Sequence, residues 1–174
     1  MMPDHDKSHR GAAGQYSTAA ELCRRGIVAV ITMGTCPNTD ILCSNKDGSK
    51  FVHIQVKTFV PENKTCSVGR KAEHDYGDNF FWVLAGVRTP DQKGSNIFYV
   101  IPSKEMAKNV EESFKIWKST PGKKGQLRKQ DNTFRSLYLP PTKDPLNGWD
   151  ISKYENRWDL IEKKLNLKRG LIVE

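Results

Sequence analysis

The feature that most constrains the fold of this chain is a tight turn between two short strand-forming segments. Residues 45–49 read Asn-Lys-Asp-Gly-Ser, and an Asp-Gly pair in this position is a strong hairpin signal. The run before the turn is 40–44, and the run after it, 51–59, alternates polar and apolar side chains. Such alternation is typical of a strand with one buried face. The chain is therefore predicted to contain an antiparallel hairpin whose second strand carries a polar face.

Helices and further strands are predicted on both sides of this hairpin. Residues 11–25 place apolar side chains at three- and four-residue steps, which predicts a helix ending at Gly26. Its expected apolar stripe consists of Ala12, Tyr16, Ala19, Ala20 and Cys23. Strands are expected at 27–33, 80–87, 97–101 and 134–139, and later helices at 104–117, capped by Ser103, and at 154–165.

This order of elements predicts an α/β fold, a single domain with a central mixed β-sheet flanked by helices and a basic C-terminal extension. A length of 174 residues suits one domain. Within it we expect a flexible N-terminus at 1–10 and a core at 11–118. We expect a basic loop and C-terminal helical extension, packed on the core, at 119–174.

The charge of the chain indicates an acidic partner. Lys and Arg number 28 against 20 Asp and Glu, a formal charge of +8, so nucleic acid is the expected partner and an anionic membrane the second choice. Between residues 115 and 135 seven cations face one acid. The alternative interpretation of this run is a solvated face.

Composition also narrows the location and the cysteine chemistry. No apolar run approaches the roughly 18 residues of a membrane helix, and the first residues lack an apolar signal core. A soluble, cytoplasmic protein is therefore expected. Its four cysteines lack metal-site spacing, so we expect reduced structural thiols, with Cys23 and Cys43 in the core.

Four residues of the hairpin form a constellation with chemical potential. Asp40 opens the first strand, and Gln55 and Lys57 share one face of the second because strand residues two apart point the same way. Mg²⁺ prefers oxygen ligands, and Asp40, the Gln55 amide oxygen and the Val56 carbonyl would supply them. Lys57 would position or deprotonate a water, or stabilise phosphate charge. The alternative is an ordinary turn residue beside an exposed strand face.

At these residues the sequence resembles the PD-(D/E)XK nuclease superfamily, within its restriction-endonuclease-like and archaeal Holliday-junction resolvase branches. Arg10-Gly11 precedes the first helix, and Gln15 stands where the resolvase-like helix carries an acid. Asp40-Ile41-Leu42 matches the motif aspartate, and residues 54–58, Ile-Gln-Val-Lys-Thr, match the (E/Q)-x-K strand. The resemblance covers roughly residues 10–60, and its motif is short.

The resemblance implies a restriction-endonuclease-like αβββαβ core and a metal-dependent DNA endonuclease. Mg²⁺ is the expected cofactor, with Mn²⁺ as a substitute, and the expected catalytic residues are Asp40, Gln55, Lys57 and Gln15. The family often works as homodimers, and a partner subunit that supplies specificity is another expectation. Gln15 and Gln55 depart from the acids of the family, although a Q-x-K version occurs in active members.

The basic segment would then contact DNA. Small residues beside lysines approach a phosphate backbone closely, and the residues expected to do so are Lys123, Lys124, Arg128, Lys129 and Arg135. Trp149, Tyr154 and Trp158 would stack on bases, although helical spacing places Trp158 in a core or dimer face. Two other functions remain open: an inactive nucleic-acid-binding module on the same fold, and an interaction protein whose charge serves solubility.

Overall fold

A five-stranded mixed sheet lies at the centre of the structure, a computed structural model that describes residues 7–34, 36–122, 124–128 and 133–167. Its strand order is β1-β2-β3-β5-β6; β3 and β5 are parallel, and the other neighbours are antiparallel. The five strands are β1 (Val28–Ile31), β2 (Ile41–Ser44), β3 (Phe51–Phe59), β5 (Phe80–Gly86) and β6 (Ile97–Pro102).

A second, two-stranded sheet pairs segments far apart in the chain, β4 (Thr65–Ser67) with β7 (Ser136–Tyr138). The helices are α1 (Lys7–Arg24), α2 (Ser103–Ser119) and α3 (Asp159–Lys164), with 3-10 turns at Arg70–Glu73 and Ser152–Tyr154. Since β4 and β7 contribute three residues each, their stability depends on packing against the main sheet rather than on their own pairing.

Two hydrophobic cores lie on opposite faces of the main sheet. On the first face, Leu22 of α1 and Ile161 of α3 pack on the apolar side chains of β3, such as Ile54. On the second face, α2, both 3-10 turns and the small sheet cover β5 and β6, where Trp82 and Ile101 are buried. The second core does not extend over β1 and β2, so the sheet has one covered and one open half on this face.

The α/β fold with a mixed sheet, predicted from the sequence, is confirmed. The strands of the main sheet and β7 agree with their predicted positions to within a few residues at each end, and β3 agrees at both ends. Strand β4 was not predicted from the sequence. The division of the chain near residue 118 stays a prediction, although segments from both sides of it, including Val110 and Leu137, pack in the second core.

The first helix differs from its prediction at its start and in its buried face. It begins at Lys7, so residues 7–10, expected in the flexible N-terminus, are helical, and residues 1–6 lie outside the described part of the chain. The expected stripe is right at Ala19 and wrong at Tyr16 and Cys23, which are exposed. Alanines do not decide between two neighbouring helix faces. The face against the sheet consists of Gly14, Thr18, Ala19 and Leu22.

The C-terminal half also contains corrections. Ser103 does not cap α2; its hydroxyl oxygen instead accepts the backbone N–H of Tyr76 at 2.7 Å. The predicted helix at 154–165 is shortened to Asp159–Lys164, preceded by a 3-10 turn. Among the helices of the described residues, none has the length and apolarity needed to cross a membrane.

Candidate active site

Asp40 lies at the point where β2 begins, and its backbone is fixed from both sides. Its N–H donates to the Ile54 carbonyl at 2.8 Å, and its carbonyl accepts the N–H of Thr32 at 2.9 Å. The Thr32 hydroxyl donates to the Thr39 carbonyl at 2.5 Å. The pairing of β2 with β3 stops at Ile54, so the Asp40 side chain projects toward the part of β3 that β2 does not cover.

The carboxylate of Asp40 is held by groups from β3. One of its oxygens, Oδ2, accepts the backbone N–H of Val56 at 2.7 Å and also accepts a hydrogen bond from the side-chain amide of Gln55. The sequence prediction that these residues meet across the hairpin is therefore confirmed in geometry. Their predicted roles in catalysis and metal binding stay predictions.

The protonation of Asp40 reflects two opposing influences. Burial, the larger one, raises the pKa of the Asp40 carboxyl above its ordinary value. The Val56 N–H and the positive charge of Lys57 lower that pKa, and so do hydrogen bonds from the amides of Gln55 and Gln15. These hydrogen-bond donors and the Lys57 charge are the groups that stabilise the ionised form of Asp40.

Lys57 acts electrostatically on both the motif aspartate and the small sheet. Its charge acts on Asp40, and it also acts on the buried thiol of Cys66 in β4. Gln55 and Lys57 are both half-buried, and they occupy the face of β3 whose register partners in β5 are Trp82 and Leu84. An amide, an ammonium and a carboxylate therefore share the border between the open and the covered half of the sheet.

Gln15 reaches this site from α1, as the resemblance implies, because the helix approaches β3 closely. Gly14 faces Thr58, and a Cβ added at position 14 would overlap the Thr58 side chain. Sequence reasoning took Gly14 only as part of the helix start. A glycine is unfavourable inside a helix. Its presence in the predicted helix could therefore have indicated that the helix backbone contacts a neighbouring element at this position.

His53 is a further polar residue on the open face of β3. It is exposed, and its Nδ1 lies 3.3 Å from the hydroxyl of Thr39, the residue before Asp40. The neighbouring register positions on this face include the exposed Val30 and Phe51. The open half of the sheet therefore presents an exposed surface next to the Asp40 carboxylate.

The other acids near the motif do not join Asp40. Glu21 pairs with Arg24 and Arg25. Glu73 pairs with Arg135, and Asp78 lies 3.7 Å from Lys164. Across the described residues, no group of three or more His, Cys, Asp or Glu side chains could hold a metal ion. A cation at this site would therefore meet one carboxylate, together with amide and carbonyl oxygens.

The predicted DNA-contacting cations fall into four groups, of which Arg135 forms the last. Lys123 and Lys129 lie outside the described residues. Lys124 is exposed, as expected. Arg128 is half-buried, with its guanidinium over the Trp117 ring.

Arg135 is not a rim cation. It is 6% exposed and its Nε donates to Glu73 at 2.5 Å, so the prediction that it is an exposed cation contacting the phosphate backbone is wrong. Glu73 is 62 residues away in sequence, and sequence spacing did not reveal this partner. Base stacking by the C-terminal aromatic residues is also wrong, because all three are buried in the cores: Trp149, Tyr154 and Trp158.

Comparison with known proteins finds similar proteins through structure and none through sequence. Neither a protein-family model nor a curated protein sequence matches the chain. A bacterial homing endonuclease, I-Ssp6803I, matches with a TM-score of 0.54 and 15% sequence identity, over 92% of this chain and 95% of that one. A Holliday junction resolvase from Archaeoglobus fulgidus matches with a TM-score of 0.40 and 14% identity, over 74% of this chain and 83% of that one.

The chain shares the fold of this homing endonuclease. The first likeness spans nearly the whole of both proteins, so it includes the C-terminal extension as well as the motif-bearing hairpin. The fold expected from the resemblance in residues 10–60 is therefore confirmed. The TM-score of 0.54 establishes the shared architecture. Because the sequence identity is only 15%, the activity has to be argued from the site.

Proposed function

We propose that this protein is a metal-dependent DNA endonuclease that hydrolyses phosphodiester bonds. The observation that supports it is the meeting of Asp40, Gln55 and Lys57 on one face of the hairpin, in a fold shared with a homing endonuclease. The formal charge of +8 favours binding of a polyanion. A homodimer and a partner subunit that provides specificity remain predictions of the resemblance.

The donor atoms of the site fit a hard cation. The carboxylate of Asp40, the amide oxygen of Gln55 and the carbonyl of Val56 are oxygen ligands of the type that Mg²⁺ takes, with waters filling the other positions. In the structure the Gln55 amide donates to Asp40, so it would have to turn its oxygen toward a cation. With one carboxylate in the set, weak affinity for Mg²⁺ is expected. Mn²⁺ is the natural substitute to test.

The residues of the chain would divide the work as follows. Mg²⁺, when bound, would polarise a phosphodiester oxygen and lower the pKa of water. The Lys57 ammonium would hold the phosphate and stabilise the negative charge that develops on it, since a preorganised cation at a partly buried site is effective in that role. Gln15, whose amide also lowers the pKa of Asp40, would help to orient the carboxylate.

A second function, a nucleic-acid-binding module without cleavage, is favoured by a specific observation. Asp40 already accepts hydrogen bonds from amide donors and lies in the field of Lys57, so its negative charge is partly compensated without a cation. Both functions predict DNA binding that weakens with salt. Only the first predicts cleavage that depends on a metal.

The experiment that separates them is a cleavage assay on plasmid, linear, single-stranded and four-way-junction DNA with Mg²⁺, Mn²⁺ or EDTA. The wild type is compared with Lys57→Ala and with Lys50→Ala, which removes an exposed lysine of the same hairpin. We expect metal-dependent cutting that falls about a hundredfold or more in Lys57→Ala and is retained in Lys50→Ala.

Two outcomes would contradict the proposal. Salt-sensitive binding with no cutting of any substrate by either metal would favour the binding module. Absence of both binding and cutting would remove the charge argument and leave the fold alone.

A further inference from the structure

The C-terminal half of α2 carries a stack of rings and cations that the proposed catalytic site does not use. The rings of Phe114 and Trp117 are stacked, with centroids 5.6 Å apart and planes at 20°. The guanidinium of Arg128 lies 4.5 Å from the centre of the Trp117 ring, and that of Arg135 lies 3.2 Å from the centre of the Phe114 ring. Two aromatic and two guanidinium planes are thus held together.

Beside this stack lies a cleft of about 210 Å³ between α2 and β7. Phe114 and Trp117 form one wall, and Phe134 and Tyr138 stand on the other. The Phe134 ring is 61% exposed, which is unusual for so large an apolar side chain beside a cleft. Since a cavity of roughly 150 Å³ accepts a benzene ring, this cleft is large enough for one aromatic heterocycle.

The chemistry of the cleft favours a nucleobase over an aliphatic side chain. Unstacked bases bind to aromatic rings and guanidinium planes, and both groups line or border the cleft. The serine hydroxyls of Ser113 and Ser136 also line it and offer hydrogen bonds to the edge of a base. The cations of segment 115–135 other than the buried Arg135 match the charge of the attached phosphates.

The position of the cleft connects it to the proposed active site. Residues Ser136 and Tyr138 of β7 line it, and between them Leu137 pairs with Cys66 of β4. The thiol of Cys66 in turn lies within the electrostatic reach of Lys57. The cleft therefore lies against one strand of the small sheet, and the other strand contains the thiol whose pKa Lys57 lowers.

We propose that the cleft between α2 and β7 binds an unpaired nucleobase of the DNA, so that the protein prefers single-stranded or distorted DNA near its active site. This inference rests on the proposed function, because it assumes that DNA is the ligand. The cleft would be a second binding subsite, separate from Asp40 and Lys57, that accepts a base only when the base is unstacked.

The test compares two oligonucleotides with the same charge, a fluorescein-labelled dT12 and a twelve-residue abasic strand, in EDTA and by anisotropy. The wild type should bind dT12 about tenfold more tightly, since stacking of one base on an aromatic side chain produces a preference of that order. Phe134→Ala should lose the preference. Leu127→Ala is the matched control, because Leu127 is 93% exposed in the same basic segment and does not line the cleft.

Tryptophan fluorescence supplies a second readout that does not depend on a truncated side chain. Trp82, Trp149 and Trp158 are 1%, 8% and 0% exposed, whereas Trp117 is half-buried beside the cleft. Binding of dT12 should quench the emission of the wild type and leave that of Trp117→Phe unchanged.

Three results would overturn the inference. Equal affinity for the two strands, with quenching absent, would show that DNA binds through its backbone alone, and the proposed function would survive. A preference for dT12 that persists in Phe134→Ala would place the base elsewhere. Binding of neither strand at low salt would remove the inference, and the proposed function would then depend on the cleavage assay with duplex and junction DNA.

Discussion

Strands β3 and β5 lie side by side in parallel register, yet they are buried in opposite ways. Every residue of Phe80–Gly86 is buried, whereas Phe51–Phe59 alternates between buried and accessible positions. Residues on the first face of both strands enter the core formed with α1 and α3. On the second face, β5 is covered by α2 and the small sheet, and most of β3 is not.

This difference shows that residues that stabilise the fold and residues of the proposed active site are concentrated on different strands. A fully buried strand reads as a continuous apolar run, and a half-buried one alternates. Within the same sheet, β5 contributes side chains to both hydrophobic cores, whereas β3 presents polar side chains to solvent. Lys57 and its register partner Leu84 mark the border, since they point to the same face from neighbouring strands. The following predictions test this division.

The largest effects should come from truncating the two partners at the border. Leu84 is fully buried, so Leu84→Ala should lower the free energy of unfolding by about 2–5 kcal/mol. Lys57→Ala should change it by about 1 kcal/mol or less while cleavage falls about a hundredfold or more. Denaturant titration and the plasmid assay measure the two quantities. A large loss of stability in Lys57→Ala would contradict the separation of stabilising residues from active-site residues.

Gln55→Glu should strengthen the binding of divalent cations by about tenfold or more, because ligand charge sets affinity in oxygen sites. Without metal, the new carboxylate next to Asp40 would repel it, so the melting temperature of the variant should rise with added Mg²⁺ far more than that of the wild type. Calorimetry with and without Mg²⁺ measures this. Asp40→Asn/Gln55→Glu keeps the wild-type charge and should lose the effect; a metal-insensitive Gln55→Glu would argue against a cation site.

Two glycines of α1 provide a matched pair for the contact between helix and sheet. Gly14→Ala should destabilise the protein by about 1–3 kcal/mol, because the new Cβ meets Thr58. Gly11→Ala, where nothing lies within 4 Å of the added Cβ, should stabilise it by about 0.5–1 kcal/mol. Thr58→Ala should recover part of the Gly14→Ala loss in a double-mutant cycle. Equal effects of the two alanines would refute the close approach.

The smallest effect concerns the pH dependence of Asp40. Since burial raises its pKa in the folded state, this carboxyl favours folding when it is protonated, and its contribution declines as pH rises from its unfolded pKa through the folded one. Asp40→Asn should therefore unfold at a slightly higher temperature than the wild type at pH 7. The difference should shrink as pH falls toward 4. A variant less stable at pH 7 than the wild type would reverse the sign.

Local sequence determined the elements and the grouping of the motif. The Asp-Gly turn and the alternation of 51–59 defined the hairpin and its register closely enough to bring Asp40 to Gln55. Period and turn chemistry act between neighbours in sequence. The continuous run at 80–87 likewise predicted a strand buried on both faces, as β5 is.

Tertiary structure alone decided which distant residues meet. The face of α1 that packs on β3 is set by the fit of Gly14 to Thr58, while the sequence allowed a neighbouring face. Arg135 looked like a DNA-contacting cation until its pairing with Glu73 placed it in the interior. Charge and apolar pattern define what a residue prefers, and long-range packing selects the partner that satisfies it, because that choice depends on groups far away in the chain.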